Sequence, residues 1–343
     1  MKIAIVGAGF FGLTLGLILS KKHKVEIFEK KKSIMHGASC ANQFRFHLGY
    51  HYPRSQKTVS EINKSKDLFV SYFGPNIFGK TSNYYLVAKE SKVKFNRYKK
   101  FLKKNKLFFK ISKDTFKKNF IEKCILSNEK ILDYFNFKKK ILRKINNSNL
   151  ILNFSKEFEK KNLRNFDKVI VATYANNNLV LKKLGIKKLY EFKFELVEKI
   201  LIKLPRKFKQ KSYVVVDGNF VCVDPYLGTN YHLLSDVKNS KLETKIGKFP
   251  VFKHKNKKYV NGGIVKNLKI SQFNNFITRS SDYLPFLKDA KYIGSMFVVR
   301  AIMKNKEKTD ERTSIIKIHS KKVLSILSGK WNNCVYLAKS LKI

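Results

Sequence analysis

Gly7, Gly9 and Gly12 stand in a G-x-G-x-x-G run, and Glu29 follows about twenty residues after it. The first glycine of such a run lets the chain turn tightly. The second lets the backbone approach a ligand closely, and the third lets a helix pack against a strand. Between them Ala8, Phe10 and Phe11 offer free backbone N–H groups at the positive end of a helix, where phosphate oxygens bind. Glu29, with Lys30 beside it, is spaced to accept hydrogen bonds from a ribose. The chemistry this set supports is dinucleotide binding, and a carboxylate at position 29 disfavours a ligand with a 2′-phosphate.

A second group of reactive side chains, His47, Tyr50, His51, Tyr52 and Arg54, is packed into one short segment. An imidazole titrates near neutral pH and takes up protons, or it bonds a carbonyl structurally. Arg54 is suited to face an anion across an aromatic-lined cavity, although the same residues also make a well-packed loop around Pro53. Arg300 ends the apolar run Met296-Phe-Val-Val-Arg300. There its guanidinium offers a bidentate clamp for a carboxylate, or else a surface ion pair. Tyr226 and His232 lie on a later aromatic, β-branched stretch, where most such side chains are core. Cys40, Cys124, Cys222 and Cys334 are far apart with no C-x-x-C pair, so neither a disulfide framework nor a metal site is expected, and a cytoplasmic setting fits.

These residues need a scaffold. Residues 2–6 read as an apolar strand, 10–20 as an apolar helix and 24–28 as a second strand ending at Glu29. Residues 3–19 superficially resemble a membrane anchor, but glycines interrupt them and they fall short of the ~20 residues of a span. No transmembrane segment is therefore expected. An amphipathic helix follows at 56–73, a strand at 82–88, a Lys-rich helix at 91–104, a short β-like piece at 107–111, a helix at 135–145 and a strand at 150–154. From residue 190 the texture changes to long β-branched and aromatic runs at 192–204, 212–223 and 231–234, broken by Asp217-Gly218 and Asp224-Pro225. They predict a mostly antiparallel sheet, with a helix at 272–287 leading back to the first part.

The chain of 343 residues is 43% hydrophobic, enough for two packed domains. Its net charge of +49 comes from 73 Lys and Arg, of which nine are Arg. The lysines run the whole length of the chain, which reads first as a coding bias toward AT-rich codons. The alternative is selection for an acidic substrate, partner or surface, including peripheral contact with an anionic membrane. Nucleic-acid binding clusters its charge and favours Arg, so no nucleic-acid partner is expected.

The segment Ser39-Cys-Ala-Asn42-Gln-Phe-Arg45-Phe-His47-Leu-Gly49-Tyr-His-Tyr52-Pro53-Arg-Ser55-Gln-Lys57 resembles the second flavin-contacting segment of the D-amino-acid-oxidase-like superfamily of FAD-dependent oxidoreductases. It is nearest to the branch holding L-2-hydroxyglutarate dehydrogenase and glycerol-3-phosphate dehydrogenase. Pro53 comes one residue early for that pattern, and Arg45 stands where a small or apolar residue is usual. Phe166-Asp-Lys-Val-Ile-Val-Ala172-Thr173-Tyr resembles the strand that returns to the cofactor. Asp310-Glu-Arg-Thr-Ser and Val323-Leu-Ser-Ile-Leu-Ser328-Gly329-Lys330-Trp resemble the closing strand–Gly–helix unit.

The resemblance implies FAD as cofactor and an α/β fold. A Rossmann-like FAD/NAD(P)-binding domain of the GR2 type would be joined to a second, mostly antiparallel β-sheet substrate domain. Residues 1–80, 140–185 and 288–343 would build the first domain, and 81–139 with 186–287 the second. It adds Ser39, Asn42, Thr173, Gly329 and Lys330 to the glycines and Glu29 as cofactor contacts, with Phe158 beside the adenine. It implies hydride removal from a carbon bearing an amine or hydroxyl, with His47, Arg300 and Tyr52 in catalysis. Arg54, Tyr50 and Tyr226 would hold a small, anionic substrate. The alternatives are a redox-neutral flavoprotein acting on a nucleotide sugar, and a non-catalytic basic binding protein.

Overall fold

Ile3, Ala4, Ile5 and Val6 are buried on both faces of β1 (Lys2–Val6), the condition of a strand inside a parallel sheet. α1 (Phe10–Leu19) is apolar all round because it is covered all round, and β2 (Lys24–Glu29) returns parallel to β1 with Ile3 opposite Val25 and Val6 opposite Phe28. The computed structural model describes all residues except 114, 115, 117, 118, 219, 305–310 and 342, so Asp310 of the C-terminal segment lies outside the described residues. Among the described residues no helix is long and apolar enough to cross a membrane.

The chain then passes between two sheets. β3 (Arg45–Phe46) and α2 (Gln56–Phe73) precede β4 (Ser82–Ala88), α3 (Phe95–Lys104), β5 (Phe109–Ile111) and β6 (Ile121–Ser127). β7 (Lys130–Ile131) pairs with β3, and α4 (Tyr134–Asn146) leads to β8 (Ile151–Phe154), β9 (Lys168–Val171) and α5 (Asn177–Lys183). A second excursion comprises β10 (Phe192–Lys203), β11 (Lys211–Val216), β12 (Val221–Tyr226), β13 (Tyr231–Asp236), β14 (Lys241–Gly247), α6 (Phe273–Tyr283) and β15 (Lys291–Met303). The chain closes with β16 (Ile315–Ile318), β17 (Val323–Leu327) and α7 (Cys334–Ser340).

The six-stranded sheet has the order β16-β17-β9-β1-β2-β8 and is parallel except at its β16 edge. The nine-stranded sheet has the order β14-β10-β13-β12-β11-β4-β6-β5, with β15 also on β10, and is antiparallel except between β11 and β4. The architecture is the expected α/β fold with a Rossmann-like unit and a mostly antiparallel second sheet. One hydrophobic core joins the two, holding Ile3, Leu13 and Ile170 from one layer with Val197, Leu201, Leu233 and Val298 from the other.

Three placements differ from the sequence expectation. α6 does not lead back to the nucleotide-binding part. Phe276, Tyr283, Leu284 and Leu287 pack on Ile200, Ile202, Val221 and Val223 of the nine-stranded sheet instead. β15, expected within 288–343 of the first domain, is hydrogen-bonded to β10 along its length. β14 is a strand that its sequence KLETKIG conceals, because it is an exposed edge with no apolar alternation to reveal it.

Candidate active site

The glycine run forms a cradle that side chains would fill. Gly7 has φ +104°, and a Cβ there would lie 2.9 Å from the Ala172 carbonyl oxygen. A Cβ on Gly12 would lie 1.8 Å from the Gly7 carbonyl oxygen, and one on Gly9 would lie 2.8 Å from Ser39 Oγ. Gly7 and Gly12 thus lack side chains because the chain packs on itself there, and Gly9 lines the cavity at the start of α1, where a pyrophosphate would fit. Ser39 Oγ accepts the Phe10 N–H at 3.2 Å. Glu29 accepts the Ala8 and Lys31 N–H groups, each at 2.9 Å, holding the loop at the end of β2, while Lys30 beside it is exposed.

Asn42 shapes the next loop by donating to the Ala38 carbonyl at 3.0 Å and accepting the Phe44 N–H at 2.7 Å. Thr173 donates to Asn177 Oδ1 through its N–H and hydroxyl, and its methyl group lies 3.1 Å from where a Gly7 Cβ would stand. Phe158 is buried edge-on against Phe28 at 5.0 Å, so its side chain is part of the core at the end of β2.

A cavity of about 460 Å³ opens from this cradle between the two sheets. Gly9, Phe10, Phe11, Ser39 and Asn42 line it from the six-stranded side. Lys193, Glu195, Val197 and Lys199, spaced by two along β10, line it from the other, because alternate residues of a strand share a face. Arg300 of β15, His47, His51, Tyr52, Arg54, Gly329, Lys330 and Trp331 complete the walls.

Two predicted substrate residues are elsewhere. Tyr50 points away, stacked on Tyr85 at 5.3 Å with its hydroxyl 2.5 Å from the Phe108 carbonyl oxygen. Tyr226 is core, stacked on Phe44 at 5.8 Å. His232 likewise misses the cavity, with Nε2 3.0 Å from the Phe208 carbonyl oxygen. In each case the segment was read correctly and the side of the chain was not.

The cavity side chains have shifted protonation. Burial holds His47 well below the ordinary imidazole range, and the charges of Lys330 and Arg45 push it further the same way. It is therefore neutral at neutral pH rather than poised to titrate there. Lys330 is buried with its ammonium 4.2 Å from the centre of the Tyr52 ring and no carboxylate partner among the described residues, and burial brings it down to about 7. Lys199 is brought down to about 8, first by burial and then by Arg300.

The arginines are already engaged. Arg54 Nε donates to Asp217 at 2.7 Å. Arg300 Nε and Nη2 face Glu195 across the β10–β15 pair, with Nε donating at 2.6 Å. The ion-pair alternative for Arg300 and its place on the cavity are therefore both realised.

The unusual Arg45 carries a network that sequence reasoning missed. Its guanidinium is buried, donating to Glu129 at 2.8 and 3.0 Å and paired with Asp224, and it lies over the Tyr85 ring at 5.2 Å. Glu129 also accepts the Leu48 N–H at 3.0 Å and the Tyr85 hydroxyl at 2.5 Å. The network ties the His47 loop to the nine-stranded sheet. A weak signal existed, since Arg45, Arg54, Arg300 and Arg312, four of the chain's nine arginines, line this one cavity. Glu129, Glu195 and Lys199 carried no signal of their own.

A family model described as an NAD(P)-binding Rossmann-like domain matches residues 5–63. The chain is 30% identical over 99 residues to an FAD-dependent monooxygenase of Fusarium mangiferae, covering 28% of this chain and 27% of that protein. It is 44% identical over 59 residues to an FAD-dependent monooxygenase of Aspergillus flavus, covering 17% and 14%. The matched stretches thus span about a quarter and a seventh of those relatives. Glycine oxidase from Geobacillus kaustophilus superposes with a TM-score of 0.72 at 13% identity, covering 97% of this chain and 91% of that one. This is the glycine oxidase fold. L-proline dehydrogenase from P. horikoshii shares it, at a TM-score of 0.70 and 13% identity over 97% of this chain and 89% of that one. So does a glycerol-3-phosphate dehydrogenase from Bacillus halodurans complexed with FAD, at 0.62 and 13% over 99% and 63%.

Proposed function

We propose that this chain binds FAD and removes a hydride from a carbon bearing an amine or hydroxyl on a small anionic substrate. The observation that carries the reading is continuity. The glycine cradle opens into the same cavity that His47, Tyr52, Arg300 and Lys330 line. The relatives named above support both the cofactor and the class of reaction. In this reading the cradle, the start of α1, Glu29, Ser39, Asn42 and Gly329 hold the cofactor, which supplies a hydride acceptor when bound.

The chain's own residues do the rest. His47, kept neutral, is free to accept the substrate's hydroxyl or amine proton, and the Lys330 amine, near its midpoint at neutral pH, is a second acceptor facing the same space. Arg300 keeps Nη1 without a partner among the described residues, and it would offer that nitrogen to a substrate anion while Glu195 fixes the guanidinium plane. Tyr52 and Trp331 exclude water from one end. Residues up to about 80, 140–185 and the C-terminal β16–α7 segment form the cofactor side, and the nine-stranded sheet forms the substrate side. Arg54 and Arg300 each already face a carboxylate, which weighs against their gripping a diphosphate as a nucleotide-sugar mutase would require.

Purified protein should be yellow and release FAD on acid treatment in proportion to chain. Gly9→Asp, which puts a carboxylate where the pyrophosphate must lie, should purify colourless. A yellow Gly9→Asp protein would overturn the cradle's assignment.

A further inference from the structure

The two carboxylate oxygens of Glu129 are used unequally. Oε2 accepts Arg45 Nε at 3.0 Å, Arg45 Nη2 at 2.8 Å and the Tyr85 hydroxyl at 2.5 Å. Oε1 accepts the Leu48 N–H at 3.0 Å and faces His47 Nδ1 at 3.8 Å. That ring nitrogen is buried and has no hydrogen-bond partner among the described residues. An oxygen with acceptor capacity to spare therefore faces a nitrogen that lacks an acceptor.

Strand register brings the two together. β3 and β7 pair with Arg45 opposite Ile131 and Phe46 opposite Lys130. One residue further along the same antiparallel register, His47 stands across from Glu129. The Glu129 side chain is fully buried, whereas that of His47 is 17% exposed and lines the cavity. Since Nδ1 is enclosed, the Nε2 edge is the part of the ring left open, and Nε2 makes no protein hydrogen bond among the described residues.

A neutral imidazole carries one ring proton. Placed on Nδ1 it points at Glu129 and leaves the Nε2 lone pair to the cavity. Placed on Nε2 it leaves nothing there to accept a substrate proton, and sets a lone pair of Nδ1 against a carboxylate. Arg45, Lys330, His51 and Tyr52 surround the same ring, and the first three disfavour a charge on it. Glu129 is the carboxylate that faces it.

We propose that Glu129 is a positioning residue, which holds the His47 proton on Nδ1 and steadies the imidazolium formed when Nε2 takes the substrate's hydroxyl or amine proton. The proposal rests on the oxidoreductase reading of the cavity. In that step the O–H or N–H proton goes to Nε2. The C–H hydrogen leaves with its electron pair as hydride to the cofactor, so the carbon is oxidised by two electrons. Contacts of this kind shorten when the reacting complex forms, and a charged ring draws the carboxylate to hydrogen-bond distance.

Two measurements separate this role from that of a purely structural counter-charge to Arg45. In FAD-loaded protein with ¹⁵N-labelled histidine, the ring signal lost in His47→Ala should have the shifts of an Nδ1–H tautomer at neutral pH. An Nε2–H tautomer would overturn the proposal, and the measurement requires neither a substrate nor a Glu129 variant that folds. The second is the anaerobic rate of flavin reduction, read with whichever amino or 2-hydroxy acid bleaches the flavin. Glu129→Gln should lower the limiting rate about 100-fold, with the half-saturating substrate concentration little changed. In a His47→Ala background the same substitution should lower it no further. An unchanged rate in Glu129→Gln, or an equal loss with and without His47, would mark a structural role and overturn the proposal. Protein whose flavin no substrate bleaches sinks the oxidoreductase reading by itself, and the tautomer then still decides whether Glu129 sets the proton on His47.

Discussion

On the six-stranded side the site depends on backbone without side chains, with Gly9 at the cavity itself. Gly7, Gly9 and Gly12 lie within six residues of sequence, and their function is to lack a Cβ where 1.8–2.9 Å separates it from the next atom. On the nine-stranded side the wall is side chains, and Glu195 meets Arg300 from 105 residues away only because β10 and β15 pair in one register. The first wall is set by local geometry and tolerates almost no substitution. The second is set by strand register and charge, so its residues can be exchanged one at a time to retune what binds.

The contrast is tested most severely at Arg45, which ties the His47 loop to the nine-stranded side. Arg45→Met leaves Glu129 and Asp224 buried without their counter-charge, and chemical unfolding should show a loss of about 3–5 kcal/mol. An Arg45→Met, Glu129→Gln, Asp224→Asn triple variant should recover much of it. A single variant as stable as the parent would mean that the network does not hold the His47 loop to the sheet.

Next in size is Lys330. Its amine is held at about 7, below that of an exposed lysine, so from that value up to the ordinary lysine range the unfolded chain holds a proton that the folded chain does not. This group therefore makes stability rise with pH across that window and fall as pH drops toward 7. Lys330→Met should remove the slope and raise stability at neutral pH. If the neutral amine also accepts the substrate proton, kcat/KM should rise as pH passes about 7, and that rise should vanish in Lys330→Met. His47→Ala should lower the rate of flavin reduction at neutral pH and above, where burial keeps the imidazole neutral.

The smallest effect belongs to Arg300→Lys. The Glu195 pair would persist while the forked geometry is lost, so KM should rise about tenfold with kcat nearly unchanged.

The same contrast explains what the amino-acid sequence revealed. The βαβ unit and α2 were legible because their signals are local. Glycine spacing and β-branched runs mark the first, and Ser55 accepting the Thr58 N–H at the start of Gln56–Phe73 marks the second. Arg300 was legible as an arginine ending an apolar strand, but its partner was not. Tyr50 and Tyr226 were misplaced because a residue's neighbours along the chain do not say which face it occupies when both faces are buried. Arg45 stood out as an anomaly, yet its meaning lay in Glu129 and Asp224, which are 84 and 179 residues distant.

The most direct test of the account is the absorbance spectrum of the FAD-loaded protein mixed anaerobically with amino acids, 2-hydroxy acids and their phosphorylated counterparts. The flavin should bleach with an anionic amine or alcohol. A flavin that stays oxidised with every ligand that binds the cavity would contradict it.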